Sequence, residues 1–383
     1  MSVLENYFTR EHSIFRDSVK KFFAKEVTPY VDEWEHEGIV PKEIWKRFGS
    51  QGFLCPWLPE AYGGVGADFL YTLIAIEEAA QTHCSGFAFP LHSDIIIPYI
   101  YNFADEDLKR RWLPGCISGD IITAIAMTEP GAGSDLSAIR TTAVKDEDHY
   151  ILNGQKTFIS NGILCDLVLV AAITDPHADP SYTGISLIGV EAGTPGFEKG
   201  RNLDKIGLHS QDTAEMAFVD CRVPASNLIG TEGQGFYYLM EELQQERIVC
   251  AIICQTAAQE ALRLTLDYTK SRSAFGRPVS RFQYISFELA KMATEVEVGK
   301  AFLESVIIDH MEGREIVKKA SMAKYWIAEM LNRIVAKCVQ FHGGYGYMEE
   351  YPIARIFRDA RVQTIYAGTS EIMLLIISRS LGL

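Results

Sequence analysis

The stretch HYILNGQKTFIS, residues 149–160, decides the fold class, because it lies where apolar residues begin to repeat at every second position. Asn153-Gly154 stands between two β-like runs and predicts a hairpin, since both central positions of a two-residue turn need positive φ. The strand-length runs LVLVAAIT, GISLIGVE and EMAFVDCRV follow it. Short strands in succession, without helices between them, indicate an antiparallel sandwich or barrel.

The sequence on both sides of this β region has the period of a helix. Toward the N-terminus, HSIFRDSVKKFFAKEVTPYVDEW is predicted to be helical up to Pro29, with one apolar face. That face consists of Ile14, Phe15, Val19, Phe22 and Phe23. Near the C-terminus, a longer apolar series steps by three and four residues through Ile316, Ala320, Ala323, Ile327, Met330, Ile334 and Cys338.

These changes of period divide the chain into three predicted domains. We expect a helical domain at residues 1–120, an antiparallel β domain at 121–228 and a second helical domain at 229–383. At 383 residues, the chain is too long for one compact core. Long helices that are apolar on more than one face usually bury both sides in a bundle or in an oligomer interface.

Composition argues against several classes of function. The net charge of −14 disfavours nucleic acid as a partner, because phosphate binding needs a dense basic surface. The eight cysteines include no CxxC and no zinc spacing, so we expect no metal site. The longest apolar runs are too short to span a bilayer, and the N-terminus resembles neither a secretory signal nor a transit peptide. The prediction is a cytoplasmic protein without a membrane partner, or the mature form of a matrix protein.

Two segments contain candidate binding residues although the common nucleotide-binding and hydrolase motifs are missing from the sequence. TEPGAGSDL at 128–136 offers N–H groups and hydroxyls that can bind an anion or a flavin edge, or it is a plain inter-strand turn. In RSAFGRPVSRFQ at 272–283, Arg272 can bind pyrophosphate, Phe275 can stack and Gln283 can donate to a carbonyl. A capped helix–loop–helix junction explains that composition equally well.

Two further segments lie near the C-terminus. The glycines of QFHGGYGYMEEYPIARIFRDAR, residues 340–361, let a backbone approach a ligand closely. Its arginines at 355, 358 and 361 share one helical face, for which a solvated or ion-paired surface is the favoured interpretation. In YAGTSEI at 366–372, Gly368, Thr369 and Ser370 predict a helix N-cap, whose N–H groups either cap the helix or bind a phosphate or carbonyl.

Taken together and in order, these segments resemble the acyl-CoA dehydrogenase family over nearly the whole chain. The resemblance rests on MTEPGAGSDL, NGQKTFISNG, RSAFG with Gln283, QFHGGYGYMEEYP and RDARVQTIYAGTSEI, and it is greatest to the long-chain and isovaleryl branches. It implies a C-terminal four-helix bundle, usually a homotetramer, and FAD between the β domain and the bundle with part of its site from a neighbouring subunit. It also implies an acyl-CoA substrate and electron-transferring flavoprotein as the electron acceptor.

The resemblance also assigns residues to sites. Those expected near the isoalloxazine ring are Met127, Thr128, Gly133, Ser134, Phe158, Ile159 and Ser160, with Thr369, Ser370 and Glu371 completing the flavin site. Those expected on the pyrophosphate and adenosine side are Arg272, Gln283, Gln340, Gly343 and Gly344, with Phe275 as the stacking residue. Those expected to border the acyl-CoA are Ser134, Tyr237, Arg247, Ala367 and Gly368.

One position departs from the family pattern. Many members carry their catalytic base as a glutamate in a YEGT motif, whereas here Ala367 cannot accept a proton. The long-chain and isovaleryl branches place the base on an earlier helix, just before an arginine, and LQQER provides Glu246 followed by Arg247 there. Without the resemblance, Glu246 is one more helical surface carboxylate. With it, Glu246 is predicted to take the α-proton of the thioester while the β-hydrogen leaves as hydride to flavin N5.

Asp94, in PLHSDIIIPYI, is expected close to the acyl pocket. The favoured interpretation pairs it with His92 or a backbone donor, because an unpaired buried carboxylate is costly. The alternative gives it a role toward a cyclic acyl group, since the arrangement resembles some cyclohexene-carboxyl-CoA dehydrogenases. Two other functions remain open: an acyl-CoA oxidase on the same scaffold, and a non-catalytic acyl-CoA-binding flavoprotein, for which Ala367 would be the sign.

Overall fold

A computed structural model describes residues 3–383 and confirms the predicted order of helical, β and helical regions. The N-terminal α-helices are α1 Arg10–Glu26, α2 Val31–Glu37, α3 Lys42–Ser50, α4 Phe69–Ala80, α5 Ile97–Phe103 and α6 Glu106–Ser118. Val19, Phe22 and Phe23 of α1 are buried as predicted, and the helix ends before Pro29. The assignment of Ile14 to this face is wrong, because its side chain is 56% exposed on the solvent side of α1.

The segment Leu91–Ile96, between α4 and α5, forms a π-helical turn. Pro98 follows it and has no N–H group, so the carbonyl of Asp94, four residues earlier, lacks its usual α-helical donor. The side-chain amide of Gln245 donates to that carbonyl instead, at 2.7 Å. This irregular turn therefore connects the N-terminal helices to a helix of the C-terminal region.

The middle region is an eight-stranded sheet with its own apolar core. Its strands are β1 Thr123–Ala126, β2 Thr142–Asp146, β3 His149–Ser160, β4 Leu167–Ile173, β5 Ile185–Glu191, β6 Phe197–Asn202, β7 Thr213–Pro224 and β8 Leu228–Ile229. The strand order is β6-β7-β3-β2-β4-β5-β8, and β1 pairs with β4. Most neighbours are antiparallel, whereas β4 runs parallel to β1 and meets the start of β2 in a parallel pair.

The predicted hairpin at Asn153-Gly154 is wrong. Strand β3 runs through both residues, and the turn that joins it to β2 contains Glu147, which has φ +53°. Gly154 lies instead at a register shift between β3 and β7, where an added Cβ would stand 2.4 Å from Thr141 Oγ1. The glycine thus permits a close packing contact within the sheet rather than a turn.

The C-terminal region forms a helical bundle. Its elements are α7 Gly235–Ser271, the ribbon of β9 Ser273–Ala274 and β10 Arg277–Pro278, then α8 Gln283–Met311, α9 Val317–His342, α10 Pro352–Ala360 and α11 Ser370–Ser380. Every member of the apolar series predicted along α9 is buried. Helices α7, α8 and α9 pack on one another and α11 packs on α9. Within residues 3–383, every helix falls short of the length or apolarity needed to cross a membrane.

Candidate functional site

A cavity of about 300 Å³ lies between α4, α7 and the segment after α10. The larger apolar core of the molecule contains residues of both helical regions. Its wall is mostly apolar, with Phe87, Phe89, Ile95, Ile253 and Leu331 among its residues. Four predicted site residues from three separate segments line it: Phe158, Ser160, Glu246 and Ala367. The structure therefore brings together the candidate base and part of the predicted flavin and acyl sites.

Glu246 is a carboxylate enclosed by protein on the cavity side of α7. Its Oε2 has no hydrogen-bond partner among residues 3–383. Burial raises the pKa of Glu246 to about 7, and the positive charges of Arg247 and Lys324 only partly oppose that shift. A carboxyl group with a pKa near neutrality and a free oxygen can accept a proton from a ligand in the cavity.

The turn that carries Ala367 is held by side chains of α9. Ala367 and Gly368 both have left-handed backbones, with φ +53° and +88°. The buried Lys324 donates to the carbonyl of Gly368 at 2.5 Å, and Thr369 caps α11 by accepting from the N–H of Ile372. The predicted N-cap is therefore confirmed. Lys324 was not predicted, although it lies one turn after Ala320 on the buried face of α9.

Two more members of the predicted flavin site lie at this cap. The hydroxyl of Ser370 donates to Glu329 of α9 at 2.6 Å, so it also fixes the start of α11. Glu371 stands in the first turn of α11, where its own backbone N–H and the hydroxyl of Thr369 lower its pKa. The cap thus joins α11 to α9 directly behind the turn at Ala367.

The loop TEPGAGSDL is anchored by a buried ion pair that the sequence analysis did not identify. Lys156 of β3 donates to Glu129 at 2.8 Å and to the carbonyl of Met127 at 3.1 Å. Glu129 also accepts from the N–H groups of Arg140 and Thr141. Burial lowers the pKa of Lys156 to about 8, against the opposing effect of Glu129. Along β3, Lys156 falls on the same alternating positions as the buried Tyr150 and Leu152. A charged residue at such an inward position was the sequence signal for this pair.

The remaining residues of that loop differ in accessibility. The carbonyl of Thr128 accepts from the N–H of Thr157 at 3.0 Å, so the loop is tied to β3 at its start. Gly133 and Ser134 are exposed, and the space beside the α-carbon of Gly133 is open. Neither lines the cavity around Glu246. The backbone at Gly133 and Ser134 is therefore accessible, while the start of the loop is hydrogen-bonded to β3.

The end of β3 presents one aromatic side chain outward. Phe158 has φ +58° and is 70% exposed, and Ser160 lies beside it on the cavity wall. Ile159 packs into the core of the sheet, so only its main chain can face a ligand. A large exposed apolar side chain on a strained backbone marks a surface that another molecule or subunit can cover.

A second, open depression of about 590 Å³ lies at the other end of the bundle. It contains four residues predicted for the pyrophosphate and adenosine side: Arg272, Gln340, Gly343 and Gly344. An added Cβ at either glycine would meet no atom within 4 Å, so the backbone is accessible there. Arg272 lies 5.7 Å from the ring centre of Tyr345 and forms no ion pair within the described chain. Phe275 and Gln283 are both exposed outside this depression, Phe275 at 95%.

These features fit a flavin dinucleotide shared between two surfaces. An anion can be bound by the free guanidinium of Arg272 and the open backbone at Gly343, while a flat ring can cover Phe158. The two groups of residues lie in separate cavities of this chain. No group of three or more His, Cys, Asp or Glu side chains in residues 3–383 is placed to hold a metal ion.

The predicted pairing of Asp94 with His92 is wrong. His92 is occupied by Thr123 and the carbonyl of Cys116, whereas Asp94 accepts from the hydroxyl of Thr72 at 2.6 Å. The Asp94 side chain is buried and does not line the cavity, although Ile95 does. The structure therefore does not bring this carboxylate to the acyl pocket.

Three other predicted substrate residues, Tyr237, Arg247 and Gly368, also lie outside the cavity lining. Tyr237 is 45% exposed and packs near Tyr182. Arg247 is buried behind Glu246, and its Nε has no hydrogen-bond partner among the described residues. Arg247 therefore acts on the site through its charge, while Tyr237 stands at the outer surface.

Two of the three arginines on the predicted face are ion-paired, as the favoured interpretation predicts, whereas Arg361 donates to the hydroxyl of Thr364 at 3.1 Å. Arg355 pairs with Asp32 at 2.6 Å, and Arg358 pairs with Glu35 at 3.2 Å and with Glu349 at 3.0 Å. The two arginine side chains are only 11% and 16% exposed, so this is an interdomain contact rather than a solvated surface.

Replacing Asp94 by Asn is expected to change how stability depends on pH. Burial raises the pKa of Asp94 to about 7, so ionising it in the folded state is unfavourable. The raised pKa of Asp94 stabilises the folded protein fully below about pH 4, the pKa of an aspartate in the unfolded chain. This contribution is lost as the pH rises toward 7. The free energy of unfolding is measured with urea at pH 5 and at pH 8. Its decrease between the two pH values should be about 2 kcal/mol smaller in Asp94→Asn than in the wild type. Equal pH dependence in both proteins would show that Asp94 ionises freely.

Comparison with known proteins identifies the class of the molecule. Models of the acyl-CoA dehydrogenase N-terminal, middle and C-terminal domains match residues 9–120, 124–221 and 233–382. The chain is 49% identical over 378 residues to the long-chain specific acyl-CoA dehydrogenase, mitochondrial, of Sus scrofa, covering 99% of this chain and 88% of that protein. These matches define an oxidoreductase.

Solved structures agree with this class. An acyl-CoA dehydrogenase from Geobacillus kaustophilus superposes with a TM-score of 0.97 at 56% identity, covering 98% of this chain and 99% of the other. A glutaryl-CoA dehydrogenase from Mycobacterium smegmatis in complex with FADH2 gives a TM-score of 0.90 at 30% identity, covering 98% and 96%. The chain belongs to the acyl-CoA dehydrogenase family.

Proposed function

We propose that the protein is an FAD-dependent dehydrogenase that forms the 2-enoyl-CoA from a saturated acyl-CoA thioester, with Glu246 as the base. The observation that carries this proposal is the free oxygen of Glu246 in an apolar cavity that Ala367 also lines. Alanine at 367 cannot take a proton, so we assign that role to Glu246, the carboxylate on α7 whose oxygen is free. FAD, when bound, supplies the hydride acceptor for the β-hydrogen.

The surroundings of Glu246 in the cavity suit a general base. An α-proton of a thioester is weakly acidic, so the base must keep its proton affinity high. The apolar wall excludes water and raises the pKa of Glu246 to about 7. Lys324 and Arg247 place positive charge nearby, which keeps the carboxylate available in its ionised form at neutral pH. Lys324 also orients the turn at Gly368, and so the backbone beside the reacting carbons.

The depth of the cavity supports a long acyl chain. Its lining follows one face of α7 from Glu246 to Glu260, which spans about 21 Å at the rise of an α-helix. With C–C bonds of about 1.5 Å, an extended chain advances about 1.3 Å per carbon, so about sixteen carbons fit that length. The matched relative from Sus scrofa is named as long-chain specific, and we assign the same substrate class here.

The activity of the enzyme should rise with pH with a midpoint near 7. The unprotonated carboxylate of Glu246 is the active form, so kcat/KM is low below its pKa of about 7 and reaches a plateau above it. The measurement is kcat/KM for a long-chain acyl-CoA between pH 5.5 and 8.5. Because Asp94 titrates in the same range, the profile is repeated in Asp94→Asn, where the midpoint should persist. A flat profile would contradict the assignment of Glu246.

One experiment tests the reaction itself. Adding palmitoyl-CoA to the flavin-loaded protein should bleach the flavin absorbance, whereas a non-catalytic acyl-CoA-binding flavoprotein would leave it unchanged. Reoxidation then separates the remaining classes. We propose electron-transferring flavoprotein as the acceptor, so air should reoxidise the product-bound enzyme slowly and electron-transferring flavoprotein should do so quickly. Rapid reoxidation by oxygen would indicate an oxidase.

We further propose a homotetramer in which a neighbouring subunit completes the flavin site. Its support is the exposed aromatic surface near the depression of Arg272, where Phe275, Tyr284 and Tyr347 are 95%, 64% and 83% exposed. A contact of this kind would cover Phe275 and Gln283 and bring them to a cofactor. Light scattering of the purified protein measures the assembly directly, and a monomer that retains flavin would exclude a shared site.

A further inference from the structure

A polar pair lies in the wall of the acyl cavity, at the end of the α7 lining face farthest from Glu246. On α7 the lining residues step by four and three from Glu246 through Cys250, Ile253 and Ala257 to Glu260. The opposite wall follows α4 and continues past its end to His83. An acyl chain that starts beside Glu246 and passes the three apolar residues therefore reaches His83 and Glu260.

The two polar residues at this end contact each other. His83 Nε2 lies 2.8 Å from Glu260 Oε1, and both side chains are largely buried. Arg263, which is half-exposed, donates to both oxygens of Glu260 at 2.7 Å. Burial acts to raise the pKa of Glu260, but the hydrogen bonds from Arg263 and His83 outweigh it and lower that pKa. Glu260 is therefore an ionised carboxylate at neutral pH.

The pair retains hydrogen-bonding capacity. Glu260 Oε2 accepts only from Arg263, and a carboxylate oxygen has two acceptor sites. The second ring nitrogen of His83, Nδ1, forms no hydrogen bond within residues 3–383. His83 also has a left-handed backbone, with φ +57°, which is uncommon for a residue other than glycine. The end of the cavity thus offers a donor or acceptor nitrogen beside a carboxylate.

We propose that His83 and Glu260 form a terminal subsite that takes the hydroxyl group of an acyl chain hydroxylated at its far end. This proposal rests on the proposed function, since it places the thioester of the same chain at Glu246. The substrate class is then a long-chain ω-hydroxyacyl-CoA thioester, turned over in preference to the methyl-terminated thioester of equal length.

The chemistry of the pair selects the hydroxyl over two other chain ends. When both ring nitrogens of His83 carry hydrogen, a hydroxyl can accept from Nδ1 while donating its one hydrogen to Glu260, so it satisfies both groups. When Nδ1 carries no hydrogen, the hydroxyl donates to one of the two groups. A methyl group excludes water from the pair without replacing its hydrogen bonds, which is unfavourable. A terminal carboxylate brings a second negative charge beside ionised Glu260, which is more unfavourable still. The expected order of preference is hydroxyl, methyl, carboxylate.

The test compares kcat/KM for palmitoyl-CoA, 16-hydroxypalmitoyl-CoA and hexadecanedioyl-CoA in the wild-type holoenzyme and in His83→Leu/Glu260→Leu. The wild type should prefer the hydroxylated thioester to palmitoyl-CoA by about tenfold, the scale of one hydrogen bond to a charged group. The double variant should lose this preference or reverse it. Dodecanoyl-CoA, which extends only about 15 Å at the same advance per carbon, should react equally with both proteins.

Controls keep the outcome interpretable. Glu241→Gln, an exposed position on the same helix outside the cavity, should retain the preference for the hydroxyl, and His83→Leu alone repeats the comparison if the double variant does not fold. A wild type that favours palmitoyl-CoA, or a preference that survives in His83→Leu, would overturn the subsite. Turnover of dodecanoyl-CoA separates this failure from that of the proposed function, because an enzyme without dehydrogenase activity would process none of the four thioesters.

Discussion

Glu246→Gln is expected to lower kcat for acyl-CoA dehydrogenation by about three orders of magnitude or more, the scale of general-base catalysis. The amide keeps the size of the carboxylate but cannot accept a proton. Since the Oε2 of Glu246 makes no hydrogen bond within the described chain, its replacement breaks no hydrogen bond at that atom. Flavin content and melting temperature should therefore be preserved. The measurement is single-turnover bleaching of bound flavin by palmitoyl-CoA.

The matched control for this variant is Glu241→Gln. Glu241 lies on the same helix, is exposed and stands outside the cavity, so the same change of charge should leave kcat within about twofold, as for most exposed positions. If Glu246→Gln kept most of its activity while Glu241→Gln behaved as wild type, the proton acceptor would have to be another group. A loss of flavin in Glu246→Gln would instead point to a structural role for the carboxylate.

Lys156→Met is expected to lower the free energy of unfolding by about 3–5 kcal/mol, the usual effect of removing one partner of a buried ion pair. The Lys156 side chain is fully buried, and Glu129 is 6% exposed. Without the lysine, Glu129 would be a buried carboxylate supported only by the N–H groups of Arg140 and Thr141. The loop after Met127 would lose its anchor, so flavin affinity should fall as well. Urea unfolding and flavin titration measure the two effects.

Two further variants separate charge from packing. Lys156→Met/Glu129→Gln removes both charges but keeps an acceptor for the two N–H groups, so it should recover a large part of the lost stability. Lys145→Met, an exposed position on the neighbouring strand, should change stability by less than about 0.5 kcal/mol. A Lys156→Met protein as stable as Lys145→Met would mean that the buried pair contributes nothing to the fold.

The fold class followed from the sequence because periodicity reports burial directly. The apolar series along α9 steps by three and four residues, and all of it is buried. The prediction of a hairpin at Asn153-Gly154 was wrong because the sequence does not distinguish a glycine required by a turn from a glycine required by a close contact. Only the packing of Thr141 against Gly154 distinguishes them.

Features of the candidate site were predictable where they lie in a local motif and not where they depend on tertiary contacts. The cap at Thr369 and the carboxylate of Glu246 lie in short recognisable stretches. The pairing of Lys156 with Glu129, the contact of Lys324 with the Gly368 turn and that of His83 with Glu260 join distant segments. A buried lysine at an inward position of a strand or helix is the one sign that a sequence offers for such contacts.

The missing N–H of Pro98 has a consequence for how the proposed base is held. Because the carbonyl of Asp94 is bound by Gln245, the residue before Glu246, a hydrogen bond links the π-helical turn at the chamber wall to the helix that carries Glu246. The same amide of Gln245 accepts from His310 of α8. A shift of the chamber wall to admit a bulky acyl group would therefore move Glu246 with it, so the proposed base would keep its position relative to that wall.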